Sequence, residues 1–158
     1  MPICELTALS ASPAKGRSLL GLDIGEKTIG LAVSDPGWAI ASPLQIIERR
    51  KWPQDLAALT AVSREREIGG LIVGLPRNMD GTEGPRAQSV RAVAQNLLAH
   101  ADLTALPLAF WDERLSTAAM ERFLIGEDVT RKRRGEVIDK MAAAYILQGA
   151  LDALKAKP

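Results

Sequence analysis

The chain predicts an α/β fold built on a five-stranded mixed sheet flanked by helices, and three features of its hydrophobic pattern lead there. Residues 18–47 contain three short apolar runs joined by tight links. Two more apolar runs, 71–75 and 106–111, each follow a stretch with apolar residues at helical spacing. From about residue 116 onward the pattern is helical.

Residues 18–24 hold Leu19, Leu20, Leu22 and Ile24, the near-continuous apolar pattern of a strand covered on both faces. Gly25 punctuates the run, residues 29–33 form a second strand, and residues 43–47 form a third after the turn at Asp35, Pro36 and Gly37. Such short links join antiparallel neighbours. Pro53 then opens a helix with Leu56, Leu59 and Val62 on one stripe, which Gly69 and Gly70 are expected to stop. A buried strand over 71–75 follows. Pro85 opens the next helix, with Val90, Val93, Ala94, Leu97 and Leu98 aligned, and leads to a strand over 106–111. Strands reached through helices lie parallel to their neighbours. Ser116 fits the N-cap of a helix through Leu124, and residues 136–154 form a long Ala-rich helix. A three-strand antiparallel meander plus two parallel strands and closing helices is the RNase H-like arrangement.

A chain of 158 residues is about one domain long and buries roughly two-thirds of its unfolded surface. Residues 1–17, rich in Ala, Ser and Pro, read as a flexible tail rather than a signal peptide, leaving 18–158 as the domain. No apolar stretch approaches the ~20 residues needed to cross a bilayer, so a soluble protein is expected. The lone Cys4 has no disulfide partner in the chain and fits a reducing cytoplasm. With 20 Lys and Arg against 19 Asp and Glu, the net charge of +1 supplies no global basic field. A nucleic-acid partner would have to be held by a local patch.

Asp23 is the first residue that demands a chemical reason. A carboxylate between Leu22 and Ile24 in a buried strand costs several kcal/mol, on the order of the penalty for any unpaired buried charge, unless it is paired or binds metal. Asp112 and Glu113 close the fifth strand, where sites in parallel sheets gather. Adjacent strand residues face opposite ways, so one of these two acids can look toward Asp23, and periodicity alone leaves the choice open. Asp139 shares a helical stripe with Ala142, Ala143, Ile146 and Ala150, which turns it toward the sheet. Three converging acids without an evident cationic partner repel one another unless a cation neutralises them. Mg²⁺, or Mn²⁺, suits such hard oxygen ligands and supports phosphodiester hydrolysis without a catalytic histidine. The only histidine, His100, reads as a surface or cap residue.

The run Arg131, Lys132, Arg133 and Arg134 stands just before the helix that carries Asp139, and Lys27 and Arg114 add charge beside two of the acids. Together they form a candidate nucleic-acid contact for several phosphates. With Trp38, Trp52 and Trp111 as the large rings, a broad base-stacking surface is not expected. In the loop PRNMDGTEG, Thr82 could cap the Pro85 helix, or the neighbouring amides could meet a phosphate.

Four segments resemble the YqgF family of RNase H-like proteins: LLGLDIGEKTIGLAVSD, VGLPRNMDGTEGP, DERLST and EVIDKMAAAYILQGALD. In order, they span Leu19 to about Leu154. The resemblance implies catalytic, metal-binding acids at Asp23, Glu113 and Asp139, choosing Glu113 over Asp112. Thr28 departs from the pattern, where many members carry arginine. The implied activity is a cytoplasmic nuclease that trims the five-prime end of the small-subunit ribosomal RNA precursor. Its rivals are a resolvase of four-way DNA junctions, which would act as a homodimer rather than a monomer, and a noncatalytic RNA-binding module. The Asp23–Gly25 hairpin also resembles the phosphate hairpin of actin-like ATPases and sugar kinases, but those enclose nucleotide between two such domains and this chain has length for one.

Overall fold

The computed structural model describes residues 3–100, 103–114 and 131–155, with 131–140 described by their helical backbone. A 3₁₀ turn, Leu6–Ala11, precedes β1 (Leu19–Ile24), β2 (Thr28–Ser34), β3 (Ala41–Glu48), α1 (Trp52–Glu65), β4 (Gly70–Leu75), α2 (Pro85–Leu98), β5 (Leu108–Asp112) and α3 (Arg131–Lys155). The sheet order is β3-β2-β1-β4-β5. β1 pairs antiparallel with β2 and β2 with β3, whereas β4 lies parallel to both β1 and β5. This is the expected meander with two parallel additions. The helix expected over 116–124 falls outside the described residues.

Alternation along the strands sends large aliphatic side chains to one face. Leu20, Leu22, Ile24, Ile29, Leu31, Leu71, Val73, Leu75 and Leu108 pack with the buried stripes of α1 and α2. The opposite face presents Leu19, Ala32, Ile72 and Ala109 to Ala143, Ala144, Ile146, Leu147, Ala150 and Leu151 of α3. Small residues let α3 lie close. At Gly21 an added Cβ would stand 2.8 Å from Leu147 Cβ and 3.2 Å from the carbonyl oxygen of Ala143. Among the described residues, no helix is long and apolar enough to cross a membrane.

Three expectations are corrected. The N-terminal segment is not a loose tail, because Leu9 and Ala14 are fully buried in the α3-side core and the Cys4 amide donates to Leu108 O at 2.9 Å. A few well-placed apolar residues anchor it despite its Ala, Ser and Pro content. Helix α1 ends at Glu65, before the glycines, where Glu67 turns the chain in the left-handed region at φ 51°. Gly69 serves packing instead, since a Cβ there would stand 2.7 Å from Arg17 Cβ. Finally, α3 begins at Arg131 rather than at residue 136, so the basic run is its first turn. Gly135 costs about 1 kcal/mol of helix propensity, which the buried stripe further along the helix outweighs.

Candidate active site

Strand parity positions the acids. In β1, Leu20, Leu22 and Ile24 belong to the α1–α2 side, which leaves Gly21 and Asp23 facing α3. In β5, Phe110 packs toward α1 and α2, whereas Ala109 and Trp111 pack toward α3. Continued past the strand end, the same alternation puts Glu113 on Asp23's face and Asp112 on the other. Glu113 indeed lies over Gly74 of β4, where a Cβ would come within 2.6 Å of both Glu113 Oε1 and Ile146 Cδ1. A side chain at position 74 would occupy the carboxyl group's space.

The two neighbouring acids have opposite environments. Asp112 accepts from Arg114 Nη2 at 2.6 Å and from its Nε at 3.0 Å, and that pairing holds its carboxyl below the usual range. Glu113 Oε1 is buried with no hydrogen-bond partner among the described residues. Burial first, and the adjacent Asp23 carboxylate second, push Glu113 up to about 7, against the opposing field of Arg86. With the two carboxyl groups side by side, a charge on Asp23 favours the protonated form of Glu113.

Asp139 is placed by the course of α3. Leu147 stands over Gly21, and Ala143 Cβ and Asp23 Cβ each lie 3.7 Å from where Gly30, the cross-strand partner of Asp23, would carry a Cβ. The helix therefore runs antiparallel to β1, and the turn before Ala143 continues toward the carboxyl ends of β1 and β4. Asp139 is in that turn, and its side chain lies outside the described residues. Among the described residues no group of three metal-ligating side chains is assembled.

The candidate basic residues divide differently from the expectation. Lys27 is exposed in the β1–β2 hairpin, and its carbonyl accepts from the Arg49 amide at 2.8 Å. Arg114 is not a free cation. Besides gripping Asp112, its Nη1 donates to Met79 O at 3.2 Å and Asn78 O at 3.4 Å, tying β5 to the loop over residues 76–84. Arg131, Lys132, Arg133 and Arg134 occupy the first turn of α3, and their side chains lie outside the described residues. Thr82 does not cap α2. Gly84 is the N-cap, and the Thr82 hydroxyl donates to Asp80 Oδ1 at 2.6 Å within the loop. His100 follows the far end of α2, ~20 Å from Pro85 at 1.5 Å per residue, and so is remote from the acids.

Arg86 was not anticipated as a site residue. Its position directly after the helix-opening Pro85, beside a loop that ends at the strand termini, is the signal that could have marked it.

A mixed sheet in the order β3-β2-β1-β4-β5, with half-buried acids at the carboxyl ends of β1 and β5, defines the RNase H-like class to which resolvase nucleases belong. Thermus thermophilus RuvC in complex with a Holliday junction substrate shares the fold, with a TM-score of 0.54 at 18% identity over 89% of this chain and 96% of that one. The chain belongs to the RuvX family, described as Holliday junction resolvase, whose model matches residues 17–153. Relatives named "Putative pre-16S rRNA nuclease" include one from Rhodospirillum centenum, 59% identical over 98% of this chain and 84% of its own length. Another from Rhodospirillum rubrum is 56% identical over 98% and 94%.

Proposed function

We propose that this chain is a metal-dependent nuclease that hydrolyses phosphodiester bonds of a structured RNA, the precursor of small-subunit ribosomal RNA, in the cytoplasm. The observation that carries this reading is the Glu113 carboxyl group, set against Asp23 with one buried oxygen that has no partner among the described residues. Structural acids are normally satisfied, as Asp112 is by Arg114. An orphaned oxygen beside a second carboxylate fits a hard divalent cation, which would relieve both the repulsion and the missing contact.

Asp23, Glu113 and, from the next turn of α3, Asp139 are the proposed ligands of Mg²⁺ or Mn²⁺. When bound, such an ion supplies Lewis acidity toward a phosphodiester and an activated water. The chain's own contribution is positioning. Gly74 leaves room for the Glu113 carboxyl, Ile146 fills the same space beside it, and the Arg114 clamp holds Asp112. The four basic residues in the first turn of α3 add to the positive end of the helix dipole, a concentration of charge matched by a phosphate backbone. The names carried by the relatives support RNA as substrate, and the family description supports a second reading, cleavage of four-way DNA junctions.

The test is cleavage of precursor RNA and of a four-way DNA junction by wild type and Asp23→Asn, with magnesium and with chelator. Magnesium-dependent cutting of the RNA that falls at least about a hundredfold in the variant, a loss of several kcal/mol of transition-state stabilisation, is the expected result. Equal cleavage by Asp23→Asn would sink the acid assignment. Cutting of the junction alone would move the substrate to DNA.

A further inference from the structure

Between the β1–β2 hairpin and the start of α2 lies a cavity of about 130 Å³, lined by Gly25, Glu26, Arg49, Pro85, Arg86 and Ser89 among others. At ~30 Å³ per water it has room for a phosphate group and some of its hydration, and it is well short of the ~300 Å³ of a drug-sized pocket. Among the described residues no aromatic ring lines it, so they offer nothing for a base to stack on.

Its chemistry is that of an anion site. Arg49 is fixed in place, donating from Nη1 to Gly25 O at 2.7 Å with the buried Asp55 carboxylate 3.9 Å behind its Nε. Arg86 is held more loosely, with Nη2 3.5 Å from Ile24 O. Helix α2 begins here with Gly84 as N-cap, no side-chain cap and no acid in its first turn. Its leading amides and the Ser89 hydroxyl are donors that an anion can use. Glu26 is exposed, where solvent screens its charge.

The cavity opens at the carboxyl end of β1, where Ile24 and Gly25, which line it, follow Asp23 directly in the chain. We infer that this cavity is a second phosphate subsite, in which Arg86 and Arg49 hold a backbone phosphate of the nucleic-acid strand whose neighbouring phosphate reaches the acids. The inference rests on the nuclease reading above. It assigns to Arg86 the part of a substrate-binding residue and to Arg49 that of a preset wall of the subsite.

The experiment measures binding of a labelled RNA stem with a five-prime single-stranded extension, with chelator present so that no cutting occurs, over 50 to 200 mM salt. Wild type, Arg86→Gln and Arg86→Lys are compared, with thermal melting to confirm that the exposed substitutions leave the fold intact. Arg86→Gln should bind roughly tenfold more weakly at low salt, as for loss of one charged hydrogen-bonding contact. Its log–log salt slope should be shallower by ~0.7–0.9, one phosphate contact, with Arg86→Lys retaining most of the slope. Wild-type binding that Arg86→Gln reproduces in strength and slope would overturn the subsite while leaving the nuclease reading standing. Arg86-dependent binding of inorganic phosphate, with strand binding unchanged, would overturn the strand assignment in favour of a free anion. A wild type with no salt-dependent affinity for RNA or four-way DNA would overturn the nuclease reading and this inference with it.

Discussion

The two faces of the sheet are built on different terms. Toward α1 and α2 the strands present leucine, isoleucine and valine, and the helices answer with Leu59, Val62, Val90, Val93 and Leu97. Toward α3 the strands carry Gly21, Gly30 and Gly74, and the helix answers with alanines and larger aliphatics in equal number. The first face maximises apolar area removed from water, which dominates folding stability. The second gives up side-chain volume for proximity and holds two carboxyl groups against a helix. Stability and chemistry are thus separated by strand parity, with residues one position apart serving different ends.

Substitutions on either side sharpen this contrast. Leu71→Ala, on the α1–α2 face, should cost about 2–5 kcal/mol as a cavity in a packed core while leaving metal-dependent cleavage by the folded fraction unchanged. Thermal melting and specific activity at low temperature check it. A loss of activity beyond the unfolded fraction would erase the division between the faces. Gly74→Ala, on the opposite face, should cost less in stability, about 1–3 kcal/mol of overpacking, yet abolish cleavage, because its Cβ would contest the Glu113 carboxyl and Ile146. Full activity in a folded Gly74→Ala protein would show that Glu113 need not stand where it does.

The smallest effect concerns pH. Glu113 is raised from 4.5 to about 7 in the folded, metal-free protein, so between those values the folded state holds more protons than the unfolded chain. Its contribution to stability is therefore full below about 4.5 and is lost as pH rises through about 7. Shared between two carboxylates and partly solvated, it should be on the order of 1 kcal/mol. The melting midpoint of the chelated wild type should fall across that window relative to Glu113→Gln. Parallel curves for the two proteins would remove the coupling between Glu113 and Asp23.

The order of strands and helices was legible because hydrophobic period and punctuation by Gly and Pro are local signals. So was Asp23, whose cost inside an apolar strand is visible from its neighbours alone. The choice between Asp112 and Glu113 was not, since parity only ranks residues once the face of α3 is known. Ala109 and Trp111 pack with α3, and that single fact sends Glu113 to Asp23. The partners of Arg114 were not legible either, since only the folded loop shows that its guanidinium pairs with Asp112 and donates to two carbonyls of the loop over residues 76–84. The start of α3 was expected at Glu136, just after Gly135, because propensity is weighed residue by residue, whereas the helix is held by a stripe that includes Ala143 and Leu147. Composition misjudged residues 3–17 for a similar reason, as Leu9 and Ala14 anchor a segment whose other residues stay exposed or half-buried.

That segment also changes how the molecule meets its neighbours. Ile3 bridges Leu108 in parallel, so the sheet margin at β5 is partly hemmed by the chain's own beginning. The opposite margin, β3, has no such hem among the described residues and displays Ile40 beside it and Ile46 within it at 64% and 41% exposure. A sheet trimmed on one side only has a direction in which it can be lengthened, and strand addition or unwanted aggregation would start from β3.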